Sequence, residues 1–253
     1  MSLKADCHVY IASLVLAMML SHNANAFPSS YNEISEMQKK ISGGPVGERI
    51  AAWAESFVGT PYDPDPLGQY VTTRRIVADE SVDCMYHTFR SVELALSNTT
   101  AEASELALGL RFRTRGVLGP DGLVQNYSER YEYAMDMVRG GRWGRDVTAE
   151  LGNILRIRGE RGVEYLDILP SEGIIGAMGS LRSGDIVFFI KSPDKRVVGE
   201  VVGHLGILKT EEGEVYLIHA SGRKHKGGRV VKVPFTEYAS DMPFIGIIVT
   251  RFQ

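Results

Sequence analysis

Five short apolar segments, separated by short polar loops, occupy the last third of the chain. Each has the length of a β-strand, and the first of them is apolar at every position, which is typical of a buried strand. Because the loops are short, neighbouring segments are expected to pair as an antiparallel meander. The segments are 186–190, 203–208, 215–220, 229–233 and 244–252.

Helical patterns fill the part of the chain that precedes these strands. Asp83 is a good N-cap residue, which places Cys84 in the first turn of a helix. One face of that helix is expected to lie in the core, because it carries apolar residues at helical spacing. These residues are Met85, Phe89, Val92 and Leu96, and other helices are predicted at 31–42, 45–59, 101–113 and 128–138. Helices first and strands last indicate an α+β fold, with N-terminal helices packed on a C-terminal antiparallel sheet.

The pattern is weaker between residues 98 and 180, where 154–157 is a candidate strand. No linker bounds this region. We therefore interpret residues 27–253 as a single domain, in which 98–180 is a large mid-chain insertion that elaborates the core.

Residues 1–26 have the pattern of a signal peptide. Lys4 supplies a positive charge, residues 10–20 form an apolar core, and small residues precede a cleavage point after Ala26. The apolar run is too short to span a membrane. The mature protein is expected to be exported, to the periplasm or out of the cell, without stable insertion into a membrane.

Cys84 is expected to be the only thiol of the mature protein, because the other cysteine, Cys7, lies in the predicted signal peptide. The fold then cannot depend on a disulfide. At a helix start, unpaired N–H groups and the helix dipole favour a thiolate, so Cys84 is a candidate nucleophile. The alternative is a buried cysteine that only fills space.

The formal net charge of −3 gives no support for nucleic-acid binding.

Two histidines of the predicted sheet are candidate partners for such a nucleophile. If residues 210–213 form a hairpin loop, Lys209 lies opposite Glu214. Counting back along both strands then places His204 opposite His219. Opposed residues share one face of a sheet with Cβ atoms about 5 Å apart, so one imidazole could accept the thiol proton while the other orients it. A one-residue shift of register would separate them, and two unrelated sheet histidines are the alternative.

Two other histidines fit such a site less well. His87 lies one turn after Cys84 on the same helix, a geometry that rarely suits proton abstraction, so we expect a packing or surface role. His225 belongs to the basic loop 223–229, which is expected to be solvated. Because this loop closely follows His219, it could also meet an anionic substrate.

Five motifs, taken together and in this order, resemble the NlpC-like, papain-fold cysteine hydrolases of bacterial cell walls. They are 59–62, Asp83-Cys84, 181–189, 203–207 and 218–221, and the resemblance extends over residues 46–252. It implies a papain-like fold in which Cys84 is the nucleophile, His204 the general base and His219 the orienting group. It also implies that Tyr62 lies beside the site and that the reaction needs no cofactor.

Three motifs in the insertion resemble the N-acetylmuramoyl-L-alanine amidase-like branch of this family. They are 111–113, 130–133 and 146–148. The branch implies hydrolysis of the lactyl–L-alanine amide in peptidoglycan fragments or muropeptides. Tyr62, Arg130 and Tyr133 are the substrate-binding candidates. Arg130 and Tyr133 belong to a set of side chains suited to sugar stacking and carboxylate binding. The other members of the set are Arg113, Tyr131 and Trp143.

Three alternatives remain at this point. A stem-peptide endopeptidase would use the same three side chains to cut after D-glutamate. Cys84, His204 and His219 could instead be ligands of a zinc ion, which prefers Cys and His. The third alternative is a wall-binding protein without catalytic activity.

Overall fold

The computed structural model describes Phe27 and residues 30–253, so the predicted signal peptide lies outside the described residues. The helices in the described part of the chain are α1 (Tyr31–Ile41), α2 (Val46–Ser56), α3 (Gln69–Thr72), α4 (Cys84–Ala95), α5 (Thr100–Leu110), α6 (Ala134–Gly140), α7 (Thr148–Leu151), α8 (Ser171–Ala177) and α9 (Phe235–Asp241). The strands are β1 (Arg145–Asp146), β2 (Leu155–Arg158), β3 (Tyr165–Pro170), β4 (Ile186–Ile190), β5 (Val202–Glu211), β6 (Glu214–Arg223), β7 (Gly227–Pro234) and β8 (Gly246–Arg251). Single 3₁₀ turns occur at Tyr127–Glu129, Met178–Ser180 and Pro193–Lys195.

The strands form one sheet in the order β2-β3-β8-β4-β5-β6-β7, and β1 pairs with β8. The α+β class and the antiparallel pairing are as predicted, but the simple meander is wrong beyond β7. Helix α9 carries the chain back, and β8 pairs with β4 on the side opposite β5. This position explains why β4 is apolar throughout: it has a neighbour on each edge and helices over both faces.

Each face of the sheet has its own hydrophobic cluster. Alternate residues of β4 point to opposite sides, so that Phe188 belongs to one cluster and Phe189 to the other. Helices α2 and α4 pack against β5 and β6, whereas α9 packs against β6 and β7. The N-terminal helices therefore do pack on the C-terminal sheet, as predicted.

The insertion departs most from the prediction. Residues 128–138 were expected to be one helix, but they form a 3₁₀ turn followed by α6. The reason is a backbone pairing with an earlier segment: the N–H of Arg113 donates to the Glu129 carbonyl, and the N–H of Tyr131 donates to the Arg111 carbonyl. These bonds use groups that a helix would need. Strand β3 and helices α8 and α9 were not predicted.

Helix α4 is buried on nearly all sides. It contacts α2, α5, β5 and β6, so its polar side chains Thr88, Ser91 and Glu93 are as buried as Phe89. The predicted apolar stripe is therefore only part of the buried surface, and two of its members, Met85 and Leu96, are only half-buried. A single-face prediction fails here because the helix lies inside the protein.

Four charged side chains form a buried network around α4. The Glu93 carboxylate accepts hydrogen bonds from Nε and Nη2 of Arg111, each at 2.6 Å. Arg90 donates to Asp79 from Nε at 2.8 Å and from Nη2 at 2.9 Å, and its Nη1 is 3.4 Å from Glu93. The network is balanced, with two cations and two anions.

Replacing Glu93 by glutamine is expected to destabilise the protein, because it leaves a buried guanidinium without its counter-ion. The expected loss is about 3–5 kcal/mol of unfolding free energy, measured by urea denaturation. Glu105 provides the control, since its ion pair with Arg115 is exposed and Glu105→Gln should change little. Equal effects of the two substitutions would contradict the importance of the buried network.

Candidate active site

Cys84 is the first residue of α4, as the sequence predicts. The Asp83 side chain caps the helix by accepting the N–H of Tyr86 at 2.8 Å. The N–H groups of Cys84 and Met85 have no acceptor within the helix, because a first turn has none. The Cys84 thiol is free and partly exposed, and the backbone N–H of Leu205 on β5 faces its sulfur.

His204 and His219 are brought together, with Nε2 of His204 and Nδ1 of His219 2.7 Å apart. The predicted hairpin register, however, is wrong by two residues. The turn contains only Glu212 and Gly213, both at positive φ as in a type I′ turn, and Glu211 pairs with Glu214. A shift by two preserves the face on which each side chain lies, so the two imidazoles still meet, diagonally and not directly opposite.

Aromatic neighbours hold both imidazole rings. The His204 ring stacks on Phe189 at 5.8 Å between centroids, and the His219 ring meets the edge of Tyr238 at 5.1 Å. The β4–β5 register skips Gly203, a bulge that immediately precedes His204. Since Nε2 of His204 is engaged by His219, its Nδ1 is the nitrogen that could accept another proton.

Cys84 and His204 lie in the same site without a hydrogen bond between them. The link is Leu205, which follows His204 on β5 and directs its N–H at the sulfur. Among the described residues, no hydrogen bond joins the thiol to the imidazole. Catalytic hydrogen bonds often form only when substrate binds, so this spacing suits a site at rest.

The charge state differs from the prediction of a favoured thiolate. Burial raises the pKa of Cys84 to about 12, and the Asp83 carboxylate adds to the shift. Burial lowers the pKa of His204 to about 3 and that of His219 to about 4. At neutral pH the thiol and both imidazoles are therefore uncharged, and any thiolate must form by proton transfer.

Of the three predicted substrate-binding residues, Tyr62 has different surroundings from Arg130 and Tyr133. Tyr62 is half-buried, and the Cys84 and Asp83 charges contribute, after burial, to raising its pKa. Its ring lies so close to Gly222 that a Cβ there would be 2.3 Å from it. Arg130 and Tyr133 have different neighbours: Arg130 is near the Tyr127 ring at 5.5 Å, and the guanidinium of Arg161 covers Tyr133 at 3.9 Å. No contact among the described residues joins either of them to the thiol or the imidazoles.

Two of the proposed sugar-stacking residues are core residues. Trp143 is fully buried and packs on Phe89 at 4.9 Å, and Tyr131 is buried beside Gly140. Neither can present a ring to a sugar. Arg113 is exposed.

Lys224 belongs to the basic loop that was expected to be solvated, but its side chain turns inward. Its Nζ lies 3.4 Å from Asp83 Oδ2. His225, in contrast, is exposed at the tip of the loop. The sequence offers no local signal for this contact, since Asp83 and Lys224 are 141 residues apart.

His87 has the packing role that was expected. It is fully buried, its Nε2 lies 3.1 Å from the carbonyl oxygen of Ala54, and its ring meets the edge of Phe57. Its buried Nδ1 has no hydrogen-bond partner among the residues that the structure describes. Burial lowers the pKa of His87 to about 4.

Acid should therefore destabilise the protein through His87. The folded-state pKa lies below that of the unfolded chain, about 6.5, so the unfolded state binds more protons between these values. The contribution of the neutral His87 to the unfolding free energy is complete above the unfolded-state pKa and decreases as the pH drops toward 4. The expected loss between pH 7.5 and 4.5 is roughly 2–3 kcal/mol from this residue.

Urea titrations at both pH values measure this loss, and His87→Gln should reduce it. His225→Gln is the control, because that imidazole is exposed. A pH dependence that is unchanged in His87→Gln would contradict the prediction.

The zinc alternative does not fit this arrangement. Nε2 of His204 and Nδ1 of His219 are 2.7 Å apart and hydrogen-bonded to each other, so these two nitrogens are not directed at a shared ion. In the described part of the chain, no group of three or more Cys, His, Asp or Glu side chains could hold a metal ion.

No protein-family profile and no curated protein matches the sequence. Solved structures do share the fold. An N-acetylmuramoyl-L-alanine amidase from Bacteroides uniformis ATCC 8492 is 20% identical, with a TM-score of 0.64 over 82% of this chain and 99% of that one. A protein of Legionella pneumophila str. Philadelphia 1, of the DUF1460 family, is 16% identical, with a TM-score of 0.67 over 87% and 93%.

A Bacteroides fragilis protein provisionally named a xylanase is also similar, at 20% identity and a TM-score of 0.61 over 80% of this chain and 100% of that one. The names of these neighbours differ, and the identities are low. The likeness establishes the fold, and the function has to be argued from the site.

Over the described residues, the helices are all too short or too polar to cross a membrane.

Proposed function

We propose that this chain is an exported, NlpC-like cysteine hydrolase of the papain-fold type, which cleaves the lactyl–L-alanine amide of peptidoglycan fragments. The observation that carries the proposal is a set of three side chains, one at the start of α4 and one on each of the strands β5 and β6. Cys84 lies at the helix N-terminus against β5, and His204 and His219 are 2.7 Å apart on β5 and β6. A nucleophile, a base and an orienting group are what acyl transfer requires.

The first step is attack of Cys84 on the amide carbonyl. The thiol proton moves to Nδ1 of His204, while Nε2–H of His204 donates to Nδ1 of His219. Both groups are neutral at rest, because burial raises the pKa of Cys84 and lowers that of His204. The proton is therefore transferred as the sulfur–carbon bond forms, which is general base catalysis.

The start of α4 stabilises the oxyanion that this attack creates. The free N–H groups of Cys84 and Met85 point along the helix axis, where the dipole is positive. Asp83 satisfies the N–H of Tyr86 instead, so the cap leaves the first two donors available. Fixed donors in a partly buried site stabilise developing negative charge strongly.

Collapse of the intermediate breaks the carbon–nitrogen bond. His204 gives its proton to the nitrogen, so the peptide leaves with a free L-alanine amino group and the lactyl carbonyl remains on sulfur as a thioester. Water then loses a proton to His204 and attacks the thioester, which releases the lactyl acid and restores the thiol. His219 keeps the His204 ring oriented throughout.

Two considerations support the lactyl–L-alanine bond over a bond within the peptide. The insertion motifs resemble the amidase-like branch, and the Bacteroides uniformis neighbour bears the amidase name. Arg130 and Tyr133 do not contact the three catalytic candidates, so we assign them to more distant parts of the substrate.

Product analysis tests this choice. Sugar-bearing muropeptides incubated with the protein should yield a sugar with a free lactyl acid and an intact peptide that starts at L-alanine, as measured by mass spectrometry. Release of an L-alanyl-D-glutamate dipeptide would show that the bond after D-glutamate is cut, and the protein would then be an endopeptidase. A Cys84→Ala sample controls for contaminating hydrolases.

A further inference from the structure

Lys224 joins three parts of the chain at the start of α4. Its Nζ lies 3.4 Å from Asp83 Oδ2 and 3.4 Å from the carbonyl oxygen of Asp63. It also lies 5.5 Å from the centre of the Tyr62 ring. The Lys224 side chain is 27% exposed, and that of Asp83 is 12% exposed, so solvent screens this pair only in part.

The backbone places Lys224 there. Residues 224–226 form the turn between β6 and β7, and positive φ occurs at His225 within the turn and at Gly227 directly after it. The N–H of His225 donates to the carbonyl of Pro64, which ties the turn to the loop beside Asp63. Strand β6 thus carries His219 and ends in a turn that reaches the helix of Cys84.

The helix cap creates the need for a cation. Asp83 accepts the N–H of Tyr86 with one carboxylate oxygen, and its other oxygen faces Lys224, so the charge of this carboxylate lies at the helix start next to Cys84. That charge contributes to raising the pKa of Cys84, whereas Lys224 lowers it. Burial raises the pKa of Asp83 itself, and Lys224 again opposes the shift.

Taking Cys84 as the nucleophile of the proposed function, we propose that Lys224 is a positioning residue that neutralises Asp83 and so allows the thiolate to form. Asp83 then caps the helix without suppressing ionisation of the neighbouring sulfur. The other titratable groups that face this region are Tyr62, Asp63, Tyr70, Glu200, Tyr238 and the neutral His204 and His219. Of these, the Glu200 carboxylate also opposes thiolate formation.

Alkylation of Cys84 by iodoacetamide tests this role without any substrate. The rate is measured from pH 7 to 10, and mass spectrometry of the Cys84 peptide separates it from Cys7. Lys224→Met should slow alkylation at pH 9 about three- to tenfold and move the pH profile to higher pH, as expected for a shift of up to one unit. Lys224→Arg should remain close to wild type, because it keeps the charge.

Two further variants separate charge from structure. Asp83→Asn keeps an N-cap oxygen but removes the charge, so it should speed alkylation, and Lys224→Met should have a smaller effect in that background. Lys226→Met is the matched control, since Lys226 is an exposed residue of the same turn.

Equal slowing by Lys224→Met and Lys224→Arg would overturn the proposal and leave a purely structural role. An unchanged profile in Lys224→Met would overturn it as well. Neither result depends on the bond that the protein cleaves. Failure of the muropeptide assay and failure of this inference are therefore distinguishable.

Discussion

Cys84→Ser is expected to lower the rate of amide cleavage roughly 10⁴-fold or more, the order of loss when a nucleophile of this kind is removed. A serine hydroxyl is a much weaker acid than a thiol, and His204 is a weak base, because burial lowers its pKa to about 3. The neutral pair cannot generate an alkoxide at a useful rate. Turnover of muropeptides, followed by product mass, measures the effect.

The same substitution should leave the fold intact, which makes the result interpretable. Serine differs from cysteine by one atom, and Cys84 forms no disulfide within the part of the chain that the structure describes. Asp83 continues to cap α4 through the N–H of Tyr86. The urea midpoint of Cys84→Ser should therefore match wild type, and a variant that keeps both its stability and its activity would show that another group is the nucleophile.

The start of α4 could be predicted from the sequence because the signal is local. An N-cap aspartate followed by helix-forming residues determines where the helix begins, with no information about the rest of the fold. The meeting of His204 and His219 was predicted for a different reason. Side chains alternate along a strand, so the two histidines share a face in every register that differs from the predicted one by an even number of residues. The error of two residues therefore did not change the conclusion.

Features that depend on long-range contacts could not be predicted. The pairing of β8 with β4 requires knowledge of where α9 directs the chain. The burial of Trp143 and Tyr131 depends on the backbone path of the insertion, in which residues 111–113 pair with 129–131. A tryptophan suited to a sugar and a tryptophan suited to a core look identical in sequence.

The protonation state predicted for Cys84 differs from the one that burial favours, for the same reason. A helix N-terminus lowers a thiol pKa, and this local effect is visible in the sequence. Burial acts in the opposite direction, and its size depends on the surrounding loops and on α9, which are known only from the fold. For Cys84 burial is the larger effect, so the pKa rises to about 12.

His204→Ala and His219→Asn should differ sharply, although the two imidazoles touch. His204→Ala should reduce turnover roughly 10²- to 10⁴-fold, since general base catalysis contributes about that much and no other described group is placed to take the proton. In His219→Asn the amide oxygen can still accept the Nε2–H of His204. That variant should lose roughly tenfold, a loss of ring orientation that is small beside the loss of the base.

The pH dependence of the His219 variants tests the orienting role of this imidazole. In the proposed tautomer, His219 accepts the Nε2–H of His204, and burial lowers the pKa of His219 to about 4, which keeps this ring neutral over the working range. His219→Asn should therefore retain the shape of the wild-type profile of turnover against pH, at a lower level. His219→Ala, which has no acceptor, should fall below His219→Asn, because Nε2 of His204 then lacks its partner at 2.7 Å. Equal and complete loss in His204→Ala and His219→Asn would contradict the division of roles, since it would mean that each imidazole supplies something that an amide cannot.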